Sequence, residues 1–193
     1  SLADQLYAQQ SYRVAQKLIR QPEFMRAQMV GIFVGYGGEV ETVRLMEAAL
    51  KLGKRVAAPT INRNERRLLW REVEEPDEQI DLGPLGLPEP LPSCHEAEPG
   101  TFDLVTVPGL VWDEQGRRLT RWGGYFERFL NTVPRVFKVG LAFELQVVED
   151  LSKWVESTLV DALITDDQVR RFGLLDTMQP ERRLPGGPDG YKG

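Results

Sequence analysis

Between Pro108 and Leu130 the chain reads PGLVWDEQGRRLTRWGGYFERFL, a run that carries Arg117, Arg118, Arg121 and Arg128, the Gly123-Gly124 pair and Glu127. The apolar stretch Phe102 to Val107 precedes it and the helix-patterned YFERFL closes it. Strand, basic glycine-bearing loop and helix start together make chemistry for an anion. The first N–H groups of a helix lack intrahelical partners and sit at the positive end of its dipole, and glycines let a phosphate approach the backbone. Arginine adds a guanidinium that grips phosphate or carboxylate through two parallel hydrogen bonds. The run is neither a Walker loop, since no Gly-Lys-Ser/Thr follows, nor a dinucleotide fingerprint, since G-x-G-x-x-G is absent. Local pattern leaves two readings open: a phosphate or carboxylate site, or a solvated arginine face on a glycine turn.

A second candidate is Gly35-Tyr36-Gly37-Gly38, which follows the apolar MVGIFV of Met29 to Val34 and precedes Glu39 and Glu41. Acids in a first helical turn commonly do no more than complement the dipole. Cys94 and His95 are the chain's one cysteine and one histidine. They exclude an internal disulfide and a Cys/His zinc site, and their Pro-rich surroundings predict an exposed loop rather than a thiol–imidazole pair. A net charge of −5 disfavours general nucleic-acid binding but not a local basic pocket. At 41% hydrophobic and 27% charged residues, the 193-residue chain has globular composition. No apolar run is long enough to cross a bilayer and nothing resembles a signal peptide, so a cytoplasmic protein without membrane contacts is expected.

The elements that must position these residues alternate in type. Helical spacing predicts a helix over 2–20, a strand over 29–34, a helix from Glu39 to Gly53 and a strand over 54–60. A short strand over 68–73 leads into 74–100, rich in Pro, Gly and acid, which reads as a long irregular excursion. Strands follow over 102–107, 135–143 and 160–165, with a short helix over 144–150 and a last strand in QVRRF. The pattern predicts one domain over 1–176: a single open, doubly wound, mostly parallel α/β sheet with helices on both faces, its ligand crevice at the carboxyl ends of the strands. Residues 177–193, all Pro, Gly and charge at their core, read as a loose tail.

Taken in order, these pieces resemble the 5-formyltetrahydrofolate cyclo-ligase family, also called methenyltetrahydrofolate synthetase, from about Tyr12 to Phe172. The family's signature VPG-x-x-F-D-x-x-G-x-R-L-G-x-G-x-G-Y-Y-D-x-x-L stands here as VPGLVWDEQGRRLTRWGGYFERFL. EVET at Glu39 to Thr42, the KRVAAP strand, LPEP at Leu87 to Pro90, GLAFELQVVEDL from Gly140 and VDALITDD from Val160 add to the match. The resemblance implies a NagB/RpiA/CoA transferase-like fold, a monomer or homodimer, and a magnesium- and ATP-dependent cyclisation of 5-formyltetrahydrofolate. It places the triphosphate on Arg118, Thr120, Arg121, Trp122, Gly123 and Gly124, and magnesium on Glu127. It places the folate on Val34, Glu39, Tyr125 and Phe126, with Arg118 and Tyr125 catalytic.

Departures fall mainly on the nucleotide side. Thr120 and Trp122 replace glycines, Phe126 replaces a tyrosine and Glu127 an aspartate. Glu156-Ser157 stands where the family has a His-Asp pair whose Asp serves the metal, and the family's N-terminal Lys-x-x-Leu-Arg motif has no counterpart. Two hypotheses follow: a cyclo-ligase with a modified nucleotide site, or a catalytically degenerate relative that binds a folate or other anion or acts as an interaction protein.

Overall fold

A computed structural model describes residues 1–156 and 158–173. The chain forms helix α1 (Leu2–Ile19), helix α2 (Pro22–Arg26), strand β1 (Met29–Gly31), helix α3 (Val43–Lys51), strands β2 (Arg55–Asn62) and β3 (Arg67–Glu72), and the short helix α4 (Pro76–Gln79). Strands β4 (Ile80–Leu82), β5 (Pro88–Pro90), β6 (Leu104–Val107), β7 (Val111–Asp113) and β8 (Arg118–Leu119) precede helix α5 (Tyr125–Thr132). Strands β9 (Phe137–Leu141), β10 (Val147–Val148), β11 (Ala162–Ile164) and β12 (Val169–Arg171) complete the described chain.

Seven of these strands make one sheet in the order β12-β11-β9-β6-β1-β2-β3. Strands β11, β9, β6, β1 and β2 run parallel, and antiparallel β12 and β3 close the two edges. From β1 the chain crosses through α3 to β2, and from β6 it crosses through α5 to β9 on the other side. Because such crossovers are right-handed, reversing their direction puts α3 and α5 on opposite faces. This is the doubly wound sheet the sequence pattern predicts, with its reversal between β1 and β6.

The parallel strands read as continuous apolar runs because both faces are covered; Leu104, Val105 and Val107 are fully buried. Helix α1 begins with a capping box between Ser1 and Asp4 and buries Ser11, Val14 and Leu18, the i, i+3, i+7 stripe of an amphipathic helix. Helix α5 buries Phe126, Phe129 and Leu130 over Trp70, whose ring lies 4.9 Å from Phe129 and 5.0 Å from Phe102.

Several expectations are corrected. The helix after β1 begins at Val43, not at Glu39, because the Glu41 carboxylate accepts from Val43 N–H at 2.7 Å and caps it, leaving Glu39 in the loop. The 144–150 segment is a 3-10 turn, Glu144–Gln146, followed by β10. The 74–100 excursion is not irregular: α4 leads into the β4–β5 pair, and Thr60 donates to Glu89 at 2.6 Å to fasten it over β2. Cys94 is buried rather than exposed, because its segment runs beside β3, with Glu72 N–H donating to His95 O at 2.8 Å. The 177–193 tail lies outside the described residues.

Arg170 of β12 clamps this end of the sheet, bonding Glu114 at 2.8 Å and Glu144 at 2.6 Å. Arg170 holds the Glu144 carboxyl down to about 2. A depressed carboxylate stabilises the fold above its ordinary pKa of 4.5, and that stability is lost as pH falls from there toward 2. Discounted for partial exposure, Glu144→Gln is expected to cost about 1–2 kcal/mol at pH 7. Urea titrations should show that difference vanishing by about pH 2, and a pH-independent difference would refute the ion pair's part in it.

Candidate functional site

The carboxyl ends of β1 and β6 open onto the two loops that the sequence singles out. After β1 the backbone is tied down by threonines: Phe33 N–H donates to Thr106 Oγ1 at 3.1 Å, and Thr42 Oγ1 donates to Phe33 O at 2.5 Å while accepting from Gly35 N–H at 3.0 Å. Gly35 is required there, since a Cβ would meet Val40 O at 1.9 Å. After β6 the chain builds the β7–β8 hairpin, and β10 pairs with β7 as a third strand. Asp113, fully buried, organises it: its carboxylate accepts from Gln115 and Arg117 N–H at 2.9 Å and from Leu151 N–H at 2.9 Å. Burial opposes its ionisation, but those N–H groups and Arg117 together hold Asp113 below the ordinary value. Gln146 joins the two loops, donating to Leu110 O at 3.0 Å and Gly38 O at 3.3 Å.

Helix α5 starts where the glycines require it. Gly123 and Gly124 have φ of 56° and 78°, a region L-residues with side chains avoid, and Gly124 is the N-cap. The side chains around this start divide into two groups.

On one side Arg118, 1% exposed, donates to Glu127 Oε1 at 2.6 Å and to Thr158 O at 2.9 Å, with its guanidinium 5.8 Å from the Trp112 ring. Burial disfavours its charge and Glu127 opposes that. Glu127 Oε2 is buried with no hydrogen-bond partner among the described residues. Arg118, Thr120, Gly124 and Glu127 line an open cleft of about 320 Å³ whose far wall includes Trp154 and Glu156. A larger concavity, about 550 Å³, lies at the β12 edge, but Glu114 and Arg170 there neutralise one another.

On the other side Arg121 and Trp122 turn toward the β1 loop. Arg121 donates to Gly37 O at 2.6 Å and lies 5.6 Å from the Tyr36 ring. Trp122 packs edge-on against Phe126 at 5.2 Å and points its indole N–H at Glu39 Oε1, 3.4 Å away. Glu39, 1% exposed, also accepts from Tyr36 N–H at 3.1 Å. Burial pushes its carboxyl up despite these donors. Val34 is buried nearby in sequence, and Phe126 is wholly in the core. Tyr125 is half-buried under Arg128, whose guanidinium is 4.7 Å from its ring and donates to Arg66 O.

The structure therefore splits the residues assigned to the triphosphate. Arg118, Thr120 and Gly124 line the cleft, while Arg121 and Trp122 latch onto the Glu39 loop. Trp122, apolar and bulky, finds Phe126 and a buried acceptor there. Sequence reasoning missed Gln146, the ordering role of Asp113, and Trp154. Asp113 alone left a signal, an acid beside a glycine turn. Ser157 lies outside the described residues.

The family model for the 5-formyltetrahydrofolate cyclo-ligase family matches residues 1–165, and the chain belongs to that family. It is 26% identical over 160 residues to the 5-formyltetrahydrofolate cyclo-ligase of Escherichia coli K12, covering 81% of this chain and 88% of that one. It is 28% identical over 152 residues to a probable 5-formyltetrahydrofolate cyclo-ligase of Caenorhabditis elegans, covering 72% and 73%. Among solved structures, the NMR structure of Aquifex aeolicus 5,10-methenyltetrahydrofolate synthetase superposes with a TM-score of 0.70 at 30% identity, covering 91% of this chain and 84% of that one. A Mycoplasma pneumoniae 5,10-methenyltetrahydrofolate synthetase shares the fold, with a TM-score of 0.64 at 17% identity over 83% and 87% of the two chains.

Glu39 gives a pH test. A carboxyl whose folded pKa is raised favours folding most when protonated, and loses that contribution as pH rises through the folded value. Relative to Glu39→Gln, the wild-type protein should gain stability as pH is lowered from 7 through the range above 4.5, the carboxyl's ordinary value. Parallel denaturant midpoints across that window would contradict the burial of a titrating group.

Proposed function

We propose that this chain closes 5-formyltetrahydrofolate to 5,10-methenyltetrahydrofolate at the expense of ATP. The observation that carries the reading is the cleft at the start of α5, in a chain of the cyclo-ligase family. There a buried arginine holds one oxygen of Glu127, and its other oxygen is buried with no hydrogen-bond partner among the described residues. A cation or a ligand donor at the cleft would satisfy that oxygen.

The nucleotide's phosphates would lie against Gly124 and the start of α5 beyond Tyr125, whose own N–H donates to Trp122 O, where the helix dipole favours negative charge. The formyl oxygen then bonds the terminal phosphorus as the bond to ADP breaks. The neighbouring nitrogen attacks the formyl carbon and gives up its proton to solvent or to the departing phosphate, and the carbon–oxygen bond breaks to release phosphate. Transfer of this kind depends on positioning and charge stabilisation rather than a protein nucleophile. Arg118 acts on it through Glu127, fixing that carboxylate at the cleft floor. Magnesium takes one or two carboxylates with phosphate oxygens and water. Glu127, with Glu156 on the wall, fits that demand, although no group of three metal-binding side chains occurs among the described residues. When bound, the ion supplies neutralisation of phosphate charge.

Glu39 and Val34 would meet the folate head group, and Tyr125 the region bearing the formyl group. Glu39 can accept a pair of N–H donors, the pattern on one edge of a pterin, once Trp122 withdraws its own. The lone buried thiol of Cys94 suits a reducing, cytoplasmic setting. No helix among the described residues is long and apolar enough to cross a membrane.

One feature favours a second reading, a relative that binds without turnover: Trp122 stands where the family signature has glycine, and its indole covers Glu39. The assay that separates the two is the absorbance rise of methenyltetrahydrofolate with magnesium and ATP against an ATP-free control. Turnover is expected. In Glu127→Gln, which keeps an acceptor for Arg118 but loses the charge, it should fall about 100-fold or more, and Arg118→Ala should lose it with the far-UV spectrum intact. No turnover in the wild type, with folate still bound, would leave the binding protein standing.

A further inference from the structure

Trp154 is the exception among the four tryptophans. Trp70, Trp112 and Trp122 are all at most 6% exposed, whereas Trp154 is 70% exposed on the wall of the Glu127 cleft. Its segment is a built turn. Leu151 N–H is held by Asp113, Trp154 N–H donates to Leu151 O at 2.9 Å, and Asp150 accepts from Ser152 N–H at 2.8 Å. An indole displayed by an anchored turn forgoes a large burial gain, which is informative where a scattered exposed leucine is not. The lining of the cleft is mixed: Arg118, Glu127, Glu156 and the Gly124 N-cap are polar or charged, and Trp154, Val155 and Leu119 are apolar.

We propose that Trp154 is the nucleobase platform of this cleft, the adenine ring of the nucleotide stacking on its indole while the phosphates lie toward Gly124. The inference rests on the nucleotide reading above and goes beyond it by assigning the base. A lining that sets an exposed indole beside charged groups and a helix N-cap suits a nucleotide, which carries both an aromatic ring and a polyanion. Folate is the other aromatic ligand at hand, but Glu39, assigned to its head group, is bonded by Trp122, which does not line this cleft. Stacking uses the π-face that every base shares, so the platform gives affinity with little choice between purines.

The test compares magnesium ATP with magnesium tripolyphosphate, which keeps the polyanion and lacks the base, by calorimetric titration of the full chain. The wild-type protein should bind ATP more tightly than tripolyphosphate. Trp154→Ala should narrow that ratio about 10-fold by weakening ATP alone, and Trp154→Phe should restore most of it. GTP should follow ATP in all three proteins. A ratio unchanged in Trp154→Ala overturns the platform while leaving the nucleotide site in place, as does a variant whose affinity for 5-formyltetrahydrofolate falls instead. Failure of the wild type to bind either ATP or tripolyphosphate overturns both the platform and the reading beneath it.

Discussion

The constraint on which this molecule depends is the reversal of winding between β1 and β6. Two neighbouring parallel strands send their chains away in opposite directions, one through α3 and one through α5, so no crossover fills the space beyond their carboxyl ends. The backbone leaving both strands must then find partners without help from a sheet neighbour. Thr106 and Thr42 supply them to Phe33 and Gly35, and Gln146 supplies them to Leu110 and Gly38. The β7–β8–β10 sheet exists for the same reason. It rebuilds hydrogen bonding around the mouth of the crevice, and Asp113 locks it to the 150–151 segment that carries Trp154.

Charges buried at such a mouth are costly unless each finds directed partners. The three solved here differ in how they are compensated. Asp113 has enough N–H donors to outweigh its burial, and it serves as a structural post. Arg118 has a carboxylate, a carbonyl and an aromatic face, while one oxygen of its partner Glu127 has no hydrogen-bond partner among the described residues. Glu39 has two donors for its carboxylate, one of them a long bond from Trp122, and burial still dominates. Asp113 is held charged by its donors, whereas burial keeps the Glu39 carboxyl raised and Glu127 Oε2 has no hydrogen-bond partner among the described residues. That difference separates a structural post from the groups on which the proposed ligand contacts rest.

Much of the architecture was legible because it rests on local regularities. Continuous apolar runs gave the parallel strands, 3.6-residue spacing gave α1 and α3, and Gly123-Gly124 marked the start of α5. The misreadings share a cause, namely side chains that act far from their own sequence neighbourhood. Glu41 displaces the helix start to Val43 through its side chain, and pairing with β3 buries Cys94 in a stretch whose composition suggested exposure. Arg121 and Trp122 sit in a loop whose pattern points to a phosphate, yet they bond to Gly37 and Glu39, residues more than eighty positions away. Trp154 carried no motif at all; only the turn that displays it and the cleft it borders give it meaning.

The loop from Thr120 to Gly124 therefore belongs to both halves of the site. Its Gly124 caps α5 at the cleft, and its Arg121 and Trp122 bond Gly37 and Glu39 of the β1 loop. A glycine at 122 would leave these halves independent. An indole there joins them, its N–H directed at Glu39 and its ring packed edge-on against Phe126 of α5. The substitution that removes a glycine of the family signature has a second physical consequence. It ties the two loops together through a single side chain whose hydrogen bond is long, hence weak, and whose ring packs edge-on against Phe126.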